Sequence, residues 1–233
     1  ILSGLVGSEM CIRDSFMVEE RLKGKPLAYL IGKKGFWKNS FIVTPDVLVP
    51  RPETETLVDA ILNENLQGKT LLELGTGSGA ISISIAQENK DCFIFATDIS
   101  IKSILVAKQN AAKFCCENII FLNHDWNNEW LFPQVDYLIS NPPYVNKEAT
   151  TGKEEGIWHE PEKALFSKDK GLSDLKLILS KGKNFLNENG KVYLEHAPDQ
   201  YEELNKFAME NGYLNFSNLN DLNGDKRVSI YQC

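Results

Sequence analysis

The chain is poor in the features that mark several classes of protein. No apolar run approaches the ~20 residues that span a bilayer, and no signal peptide is evident, so a cytoplasmic chain with no membrane partner is expected. Histidine is scarce and scattered (His124, His159, His196). The five cysteines (Cys11, Cys92, Cys115, Cys116, Cys233) are odd in number and lack ligand spacing, so they read as reduced thiols, with no metal expected. Basic charge is in deficit, 25 Lys and Arg against 32 Asp and Glu, which disfavours a broad grip on nucleic acid. The glycine-rich stretch after residue 74 does not end in Gly-Lys-Ser/Thr, which argues against a triphosphate P-loop. What is there is an ordinary globular composition, 42% hydrophobic and 24% charged over 233 residues, enough for one large domain or one domain with a small appendage. A monomer is expected.

The most informative stretch is Asn141-Pro142-Pro143-Tyr144, delivered by the apolar run Val135–Ser140. Consecutive prolines fix φ and restrain the residue before each, so Asn141 and Pro142 are held extended with their carbonyls aimed. The Asn141 side-chain oxygen and the Pro142 carbonyl offer two acceptors to one planar NH2 group, and Tyr144 offers it a flat face. Such a claw selects an amide or an exocyclic amine. Taken alone, the motif equally suits a Pro-Pro turn that ends a strand.

Residues 1–15 show neither helical period nor strand alternation and read as a truncated start or a foreign leader. Residues 16–25 suit the tail of a helix closed by Gly24. Pro26–Gly32 followed by Gly35–Val43, where apolar runs flank Lys38-Asn39-Ser40, reads as a β-hairpin. Arg51-Pro52-Glu53-Thr54-Glu55 then opens a helix near Pro52.

Thr70–Leu74 is a short buried strand running into Gly75-Thr76-Gly77-Ser78-Gly79, where alternate glycines permit a tight turn and close approach of a ligand. Ala80–Glu88 should follow as a helix, although Ile81, Ile83 and Ile85 alternate as in a strand. Cys92–Asp98 is a second strand whose final acid lies about twenty residues past the glycine turn, where a carboxylate takes ribose hydroxyls. Asp98 equally suits the N-cap of a helix over 100–114. Asn118–Leu122 is a third strand ending near Asp125-Trp126, a pair suited to an adenine, though Trp126 also suits a core.

The fourth strand carries the claw. The polar stretch 145–171 is a lid, a substrate-binding segment or a disordered loop, with enough apolar surface around Trp158 and Phe166 to dock. Helices over 173–186 and 200–211, a strand over 191–196 and a closing antiparallel pair around Asn223-Gly224 complete the chain. Alternating strands and helices with a terminal hairpin define an α/β sandwich with a mostly parallel sheet, whose ligands sit at the carboxyl ends of the strands. The glycine turn, Asp98, Asp125-Trp126 and the claw all fall on that edge.

These residues together resemble the HemK/PrmC protein-(glutamine-N5) methyltransferases, which methylate the Gln of the Gly-Gly-Gln motif in peptide chain release factors. The likeness covers residues 22–233. The glycine motif indicates the class I S-adenosylmethionine-dependent (Rossmann-like) fold. Asn-Pro-Pro-Tyr is shared with N6-adenine and N4-cytosine methyltransferases, and Arg51 to Glu55 with Pro26 to Gly32 narrow it to the glutamine enzymes. The resemblance implies that Gly75, Thr76, Gly77, Ser78 and Gly79 wrap the methionine part of S-adenosylmethionine, with S-adenosylhomocysteine as product. Asp98 would hold the ribose, and Asp125 and Trp126 the adenine. Asn141 and Pro142 would accept hydrogen bonds from the glutamine amide, with Asn141 also touching the cofactor. Pro143 and Tyr144 would shape the slot, with Arg51 and Glu53 on the substrate side and the release factor as protein partner. The division expected is a leader and remnant of a helical N-terminal domain over 1–24, a β-hairpin linker over 25–50 and the methyltransferase domain over 51–233. The alternatives are a ribosomal-protein glutamine, a nucleobase amine, or a S-adenosylmethionine- or nucleotide-binding module without catalysis.

Overall fold

The computed structural model describes residues 14–150 and 156–233. The expected leader over 1–13 lies outside the described residues. Helix α1 runs over 14–22 and is followed by α2 (Leu27–Ile31), a hairpin of β1 (Lys33–Phe36) and β2 (Asn39–Ile42), and α3 (Glu55–Leu62), which a short 3-10 turn at Pro52–Thr54 introduces. Next come β3 (Thr70–Leu74), α4 (Ala80–Glu88), β4 (Phe93–Asp98), α5 (Ile101–Lys113), β5 (Ile119–Asn123) and β6 (Val135–Ser140). The remainder is β7 (Val145–Asn146), α6 (Glu162–Leu165), β8 (Phe166–Ser167), α7 (Ser173–Gly182), β9 (Leu186–Glu195), α8 (Tyr201–Glu210), β10 (Asn215–Asn220) and β11 (Lys226–Gln232).

Seven strands form one sheet in the order β10-β11-β9-β6-β3-β4-β5. The five central and distal strands are parallel, and β11 and β10 close the edge antiparallel. Successive side chains point to opposite faces, so each strand feeds two cores. On one face Leu71, Ile139 and Tyr193 meet Leu57 and Ile61 of α3 and Ile83 and Ile85 of α4. On the other Leu72, Leu138, Val192 and Leu194 meet Leu175, Ile178 and Leu179 of α7 and Leu204 of α8.

The alternation of Ile81, Ile83 and Ile85 is helical after all. Every residue of α4 from Ala80 to Ala86 is buried. A helix covered all round has no polar face and therefore no 3.6-residue signature to read. Three expectations are corrected. Pro26–Gly32 leads with a helix rather than a strand: Pro26 sits at the N-cap and Gly32, at φ 70°, closes it, the usual Pro-start, Gly-stop asymmetry. The hairpin turn is Trp37-Lys38, one residue earlier than read, because Phe36 pairs with Asn39. The helix read over 173–186 ends at Gly182, and Asn189-Gly190 falls within β9, where the pairing shifts between Val135↔Leu186 and Tyr137↔Lys191. No described helix is long and apolar enough to cross a membrane.

Asn110 ties the hairpin to the rest. Fully buried in α5, it accepts the Ile42 N–H at 2.8 Å and donates to the Ile42 and Ser78 carbonyls at 3.0 and 2.9 Å. Its removal orphans three backbone groups, each costing about 1–3 kcal/mol if water cannot reach it. Asn110→Ala is therefore expected to destabilise the fold by about 3 kcal/mol or more, read as a lower urea midpoint at unchanged slope. An unchanged midpoint would mean that the hairpin is held by packing alone.

Candidate active site

The glycine turn, Asp98 and Asn141 come together where β3, β4 and β6 end. Gly75, Gly77 and Gly79 all have positive φ, 78°, 55° and 81°. Such values favour glycine, and at Gly77 a Cβ would meet nothing within 4 Å, so the turn exposes bare backbone to an open space. Asp98 holds the turn in place: one carboxylate oxygen accepts the Gly77 N–H at 2.9 Å and the other the Ser100 N–H at 2.8 Å. Burial pushes its pKa up, and these two N–H groups oppose the rise. Ser100, not Asp98, is the N-cap of α5, accepting the Ser103 N–H.

The space in front of the turn is a cavity of about 720 Å³ lined by Gly75, Gly77, Asp98, Trp126, Asn141 and Pro143, by residues 45–48 and 99–103, and by Pro161 to Ala164. Its size is that of a small-molecule site. Trp126 packs against Gly75, with its Cζ3 3.3 Å from where a Cβ would stand. Its indole N–H donates to Asp174 Oδ1 at 3.0 Å, and its carbonyl accepts from Lys181 and from the Trp130 indole. The flat face is therefore pinned from behind. Asp125 is bound into its own turn, accepting the Asn127 N–H at 2.9 Å, and is not among the residues lining this cavity.

A narrower cleft continues past Gly75 and Gly77 between Asn141, Phe36, Leu48, Pro50, Arg51 and Thr54, with Thr76 and Ser78 on its floor. Asn141 lines both spaces. Its Nδ2 donates to the Thr54 hydroxyl at 3.0 Å, which leaves Oδ1 as the group to offer an incoming donor. Pro142 and Pro143 are buried behind it. Tyr144 is turned back into the fold, its hydroxyl donating to Glu195 Oε1 at 2.9 Å and its carbonyl accepting from Gln200 at 3.0 Å. Pro142, Tyr144, Gly79 and Glu53 are not among the residues lining these two spaces. Thr54, Phe36 and Leu48 were not singled out by sequence reasoning. Thr54 stood inside the recognised Arg-Pro-Glu-Thr-Glu run, but Phe36 and Leu48 carry no local signal beyond hydrophobicity.

The stretch over 145–171 docks rather than waves where it is described. β7 and β8 pair in parallel, and Trp158 packs on Phe166 at 5.6 Å between ring centres. Glu160 turns inward, accepting the Val49 N–H at 2.9 Å and the Arg51 guanidinium at 2.5 Å, with its side chain 2% exposed. Arg51 thus straps the segment bearing Pro161 to Ala164 across the cavity mouth. Among the described residues no group of three or more His, Cys, Asp or Glu could hold a metal ion.

Fold and site together define a class I S-adenosylmethionine-dependent methyltransferase. Residues 52–168 match the family model of the Methyltransferase small domain. The release factor glutamine methyltransferase of Coxiella burnetii is 38% identical over 220 residues, covering 93% of this chain and 78% of that one. That of Aliivibrio fischeri is 34% identical over 230 residues, covering 98% and 81%. Among solved structures, a methyltransferase from Pyrococcus furiosus superposes with a TM-score of 0.64 at 19% identity, covering 94% of this chain and 98% of that one. The chain belongs to the release factor glutamine methyltransferase family.

Below the turn lies Glu73, 1% exposed, whose Oε2 accepts the Thr76 hydroxyl at 2.7 Å and the Ser82 hydroxyl. Burial raises its pKa from 4.5 to about 7, against the pull of those hydroxyls. The folded state then holds this proton more tightly than the unfolded chain, so the stability it contributes is present below about pH 4.5 and is lost as pH rises through about 7. Urea midpoints of Glu73→Gln and the parent protein should diverge in favour of Gln over that window, by on the order of 3 kcal/mol. Parallel pH profiles would show instead that Glu73 is ionised throughout.

Proposed function

We propose that the protein transfers a methyl group from S-adenosylmethionine to the side-chain amide nitrogen of a glutamine in a peptide chain release factor, leaving S-adenosylhomocysteine. The observation that carries this reading is the orientation of Asn141: its NH2 is committed to Thr54, so Oδ1 is the acceptor left on a residue that lines both spaces. The names borne by the relatives from Coxiella burnetii and Aliivibrio fischeri support the release factor as substrate.

The wide cavity suits the cofactor in size and chemistry. Gly75, Thr76, Gly77, Ser78 and Gly79 would hold its methionine part, Asp98 the ribose hydroxyls and Trp126 the adenine face, with Asp125 shaping the turn that carries Trp126. When bound, the cofactor supplies an electrophilic methyl group on a sulfonium. The chain's own residues handle the acceptor. Asn141 Oδ1 and the Pro142 carbonyl take the two hydrogens of the glutamine NH2. As that nitrogen gives up its amide resonance and becomes tetrahedral, its hydrogens gain positive charge and both hydrogen bonds strengthen, so the claw favours the transition state over the ground state. Pro143 would set the slot with Tyr144 bracing it from within the fold, while Arg51 and Glu53 would lie toward the polypeptide around the glutamine. Holding the reacting groups in register is worth up to about 7–11 kcal/mol of barrier. As the N–CH3 bond forms and the S–CH3 bond breaks, the methylated amide nitrogen becomes strongly acidic and loses its surplus proton to water, so the site works without a dedicated base.

Labelled S-adenosylmethionine offered with a release factor, ribosomal proteins and bare RNA should label the release factor alone; label in the RNA would replace this reading with a nucleobase methyltransferase. Asn141→Ala should lower kcat by about 100-fold or more while calorimetric affinity for S-adenosylmethionine changes only about threefold. Lost cofactor binding with retained turnover would contradict the assignment.

A further inference from the structure

Glu195 has no part in the chemistry described so far, yet it is the last residue of β9, 0% exposed, in the layer beside the claw. A carboxyl buried so completely is costly unless its neighbours are arranged for it. One of them belongs to the claw and one, Thr54, is bonded to it. The Tyr144 hydroxyl donates to Oε1 at 2.9 Å. The Thr54 hydroxyl, 4% exposed in its residue, stands next to the carboxyl without forming a well-made hydrogen bond, so Oε2 has no partner among the described residues.

The direction of this chain of groups matters. Above about pH 7, where Glu195 is ionised, its carboxylate only accepts, so the hydroxyls around it turn their hydrogens inward. A Thr54 hydroxyl that points its hydrogen at Glu195 presents a lone pair on its other side, and Asn141 Nδ2 donates into it at 3.0 Å. With the amide nitrogen used there, the amide oxygen must face the cavity. A hydroxyl pointing the other way would donate to Asn141 instead, and would draw the oxygen in and turn the NH2 out. A claw so reversed would present a donor to a donor. Tyr144 is pinned from its other end as well: its carbonyl is held by Gln200, and it lies 1.9 Å from where a Cβ on Gly171 would stand, so this approach is open only to glycine. Burial raises the Glu195 pKa to about 7, while the Thr54 and Tyr144 hydroxyls and the Arg227 charge oppose the rise and Glu53 adds to it.

We propose that Glu195 is a positioning residue for methyl transfer: through Thr54 and Tyr144 it sets the polarity of the claw, fixing Asn141 with its oxygen toward the substrate amide. This rests on the reading of Asn141 and Pro142 as acceptors for a glutamine NH2, and it adds the group that dictates which way round the acceptor is held.

The test uses the full chain, 15N-labelled, with the Asn141 side-chain amide identified by its disappearance in Asn141→Ala. In the parent protein this NH2 should show one hydrogen shifted and slowed in exchange by its bond to Thr54. Glu195→Gln, which can donate as well as accept, should broaden or move that pair while S-adenosylmethionine affinity stays within about twofold and kcat for glutamine methylation falls about 100-fold. Thr54→Val cuts the same link without touching the buried carboxyl and should give the same spectral change, whereas Thr54→Ser should restore it; these two carry the test if Glu195→Gln fails to fold. An Asn141 signal unaltered in Glu195→Gln and Thr54→Val would overturn the proposal. So would a loss of activity matched by an equal loss of cofactor binding and of melting temperature. Failure of the parent protein to methylate any glutamine would sink the proposed function, while the Asn141 spectra would still decide the role of Glu195.

Discussion

Leu74, Thr97, Ser140 and Leu194 stand side by side across four parallel strands, each paired with its neighbour in register. The residues that follow them, Gly75, Asp98, Asn141 and Glu195, therefore stand at one level along the carboxyl edge of the sheet, Asp98 and Glu195 as the last paired residues of β4 and β9. The glycine turn, the acid that braces it, the Asn141 amide and the buried carboxyl are neighbours because backbone hydrogen bonds hold those four strands level. A slip of one residue in β6 would turn Ile139 and Leu138 to the wrong cores and carry Asn141 away from Gly75 with them. The two apolar cores thus enforce the geometry of the rim, and Phe36 and Ile81 of the first core reach the cleft beside it.

Beneath the rim the protein spends stability on polarity. Glu73 under the glycine turn and Glu195 under the claw are both buried carboxyls, each ringed by hydroxyls: Thr76 and Ser82 for the first, Tyr144 and Thr54 for the second. Apolar residues would pack there at lower cost, but they would leave the adjoining backbone and amide groups without a preferred direction. The sense of a hydrogen bond, which atom donates and which accepts, is what a site selecting an NH2 group must get right. Arg51 acts at the surface of the same machine, tying Glu160 and the segment it carries over the cavity.

The fold was legible where an apolar run met clear punctuation. Thr70–Leu74 against the glycine turn, and Val135–Ser140 against two prolines, were read to the residue, and α4 was read correctly only because the strand and turn before it outweighed its misleading isoleucines. Pro26–Gly32 and the end of α7 were misread for a common reason. A short apolar stretch has no periodicity to separate helix from strand, and Asn189-Gly190, a usual stop, is absorbed as an irregularity of β9 once β6 is there to pair with it. Within the site, the glycines, Asp98, Trp126 and Asn141 were nameable from type and spacing. Phe36 and Leu48 were not, since they arrive from segments with no signature of their own, and Thr54, though inside the Arg-Pro-Glu-Thr-Glu run, has a partner that only folding reveals.

The order of strands and helices, the place of the glycine turn and the presence of an Asn-Pro-Pro-Tyr claw were determined by the sequence alone, because each rests on local dihedral limits and on hydrophobic runs that a single stretch of chain contains. The bond from Asn141 Nδ2 to Thr54, the inward turn of Tyr144 and the buried contact it makes with Glu195 were decided only in the tertiary structure. The partners concerned, Thr54, Asn141 and Glu195, lie far apart along the chain, and a hydrogen bond acquires its direction only when folding has brought both ends together.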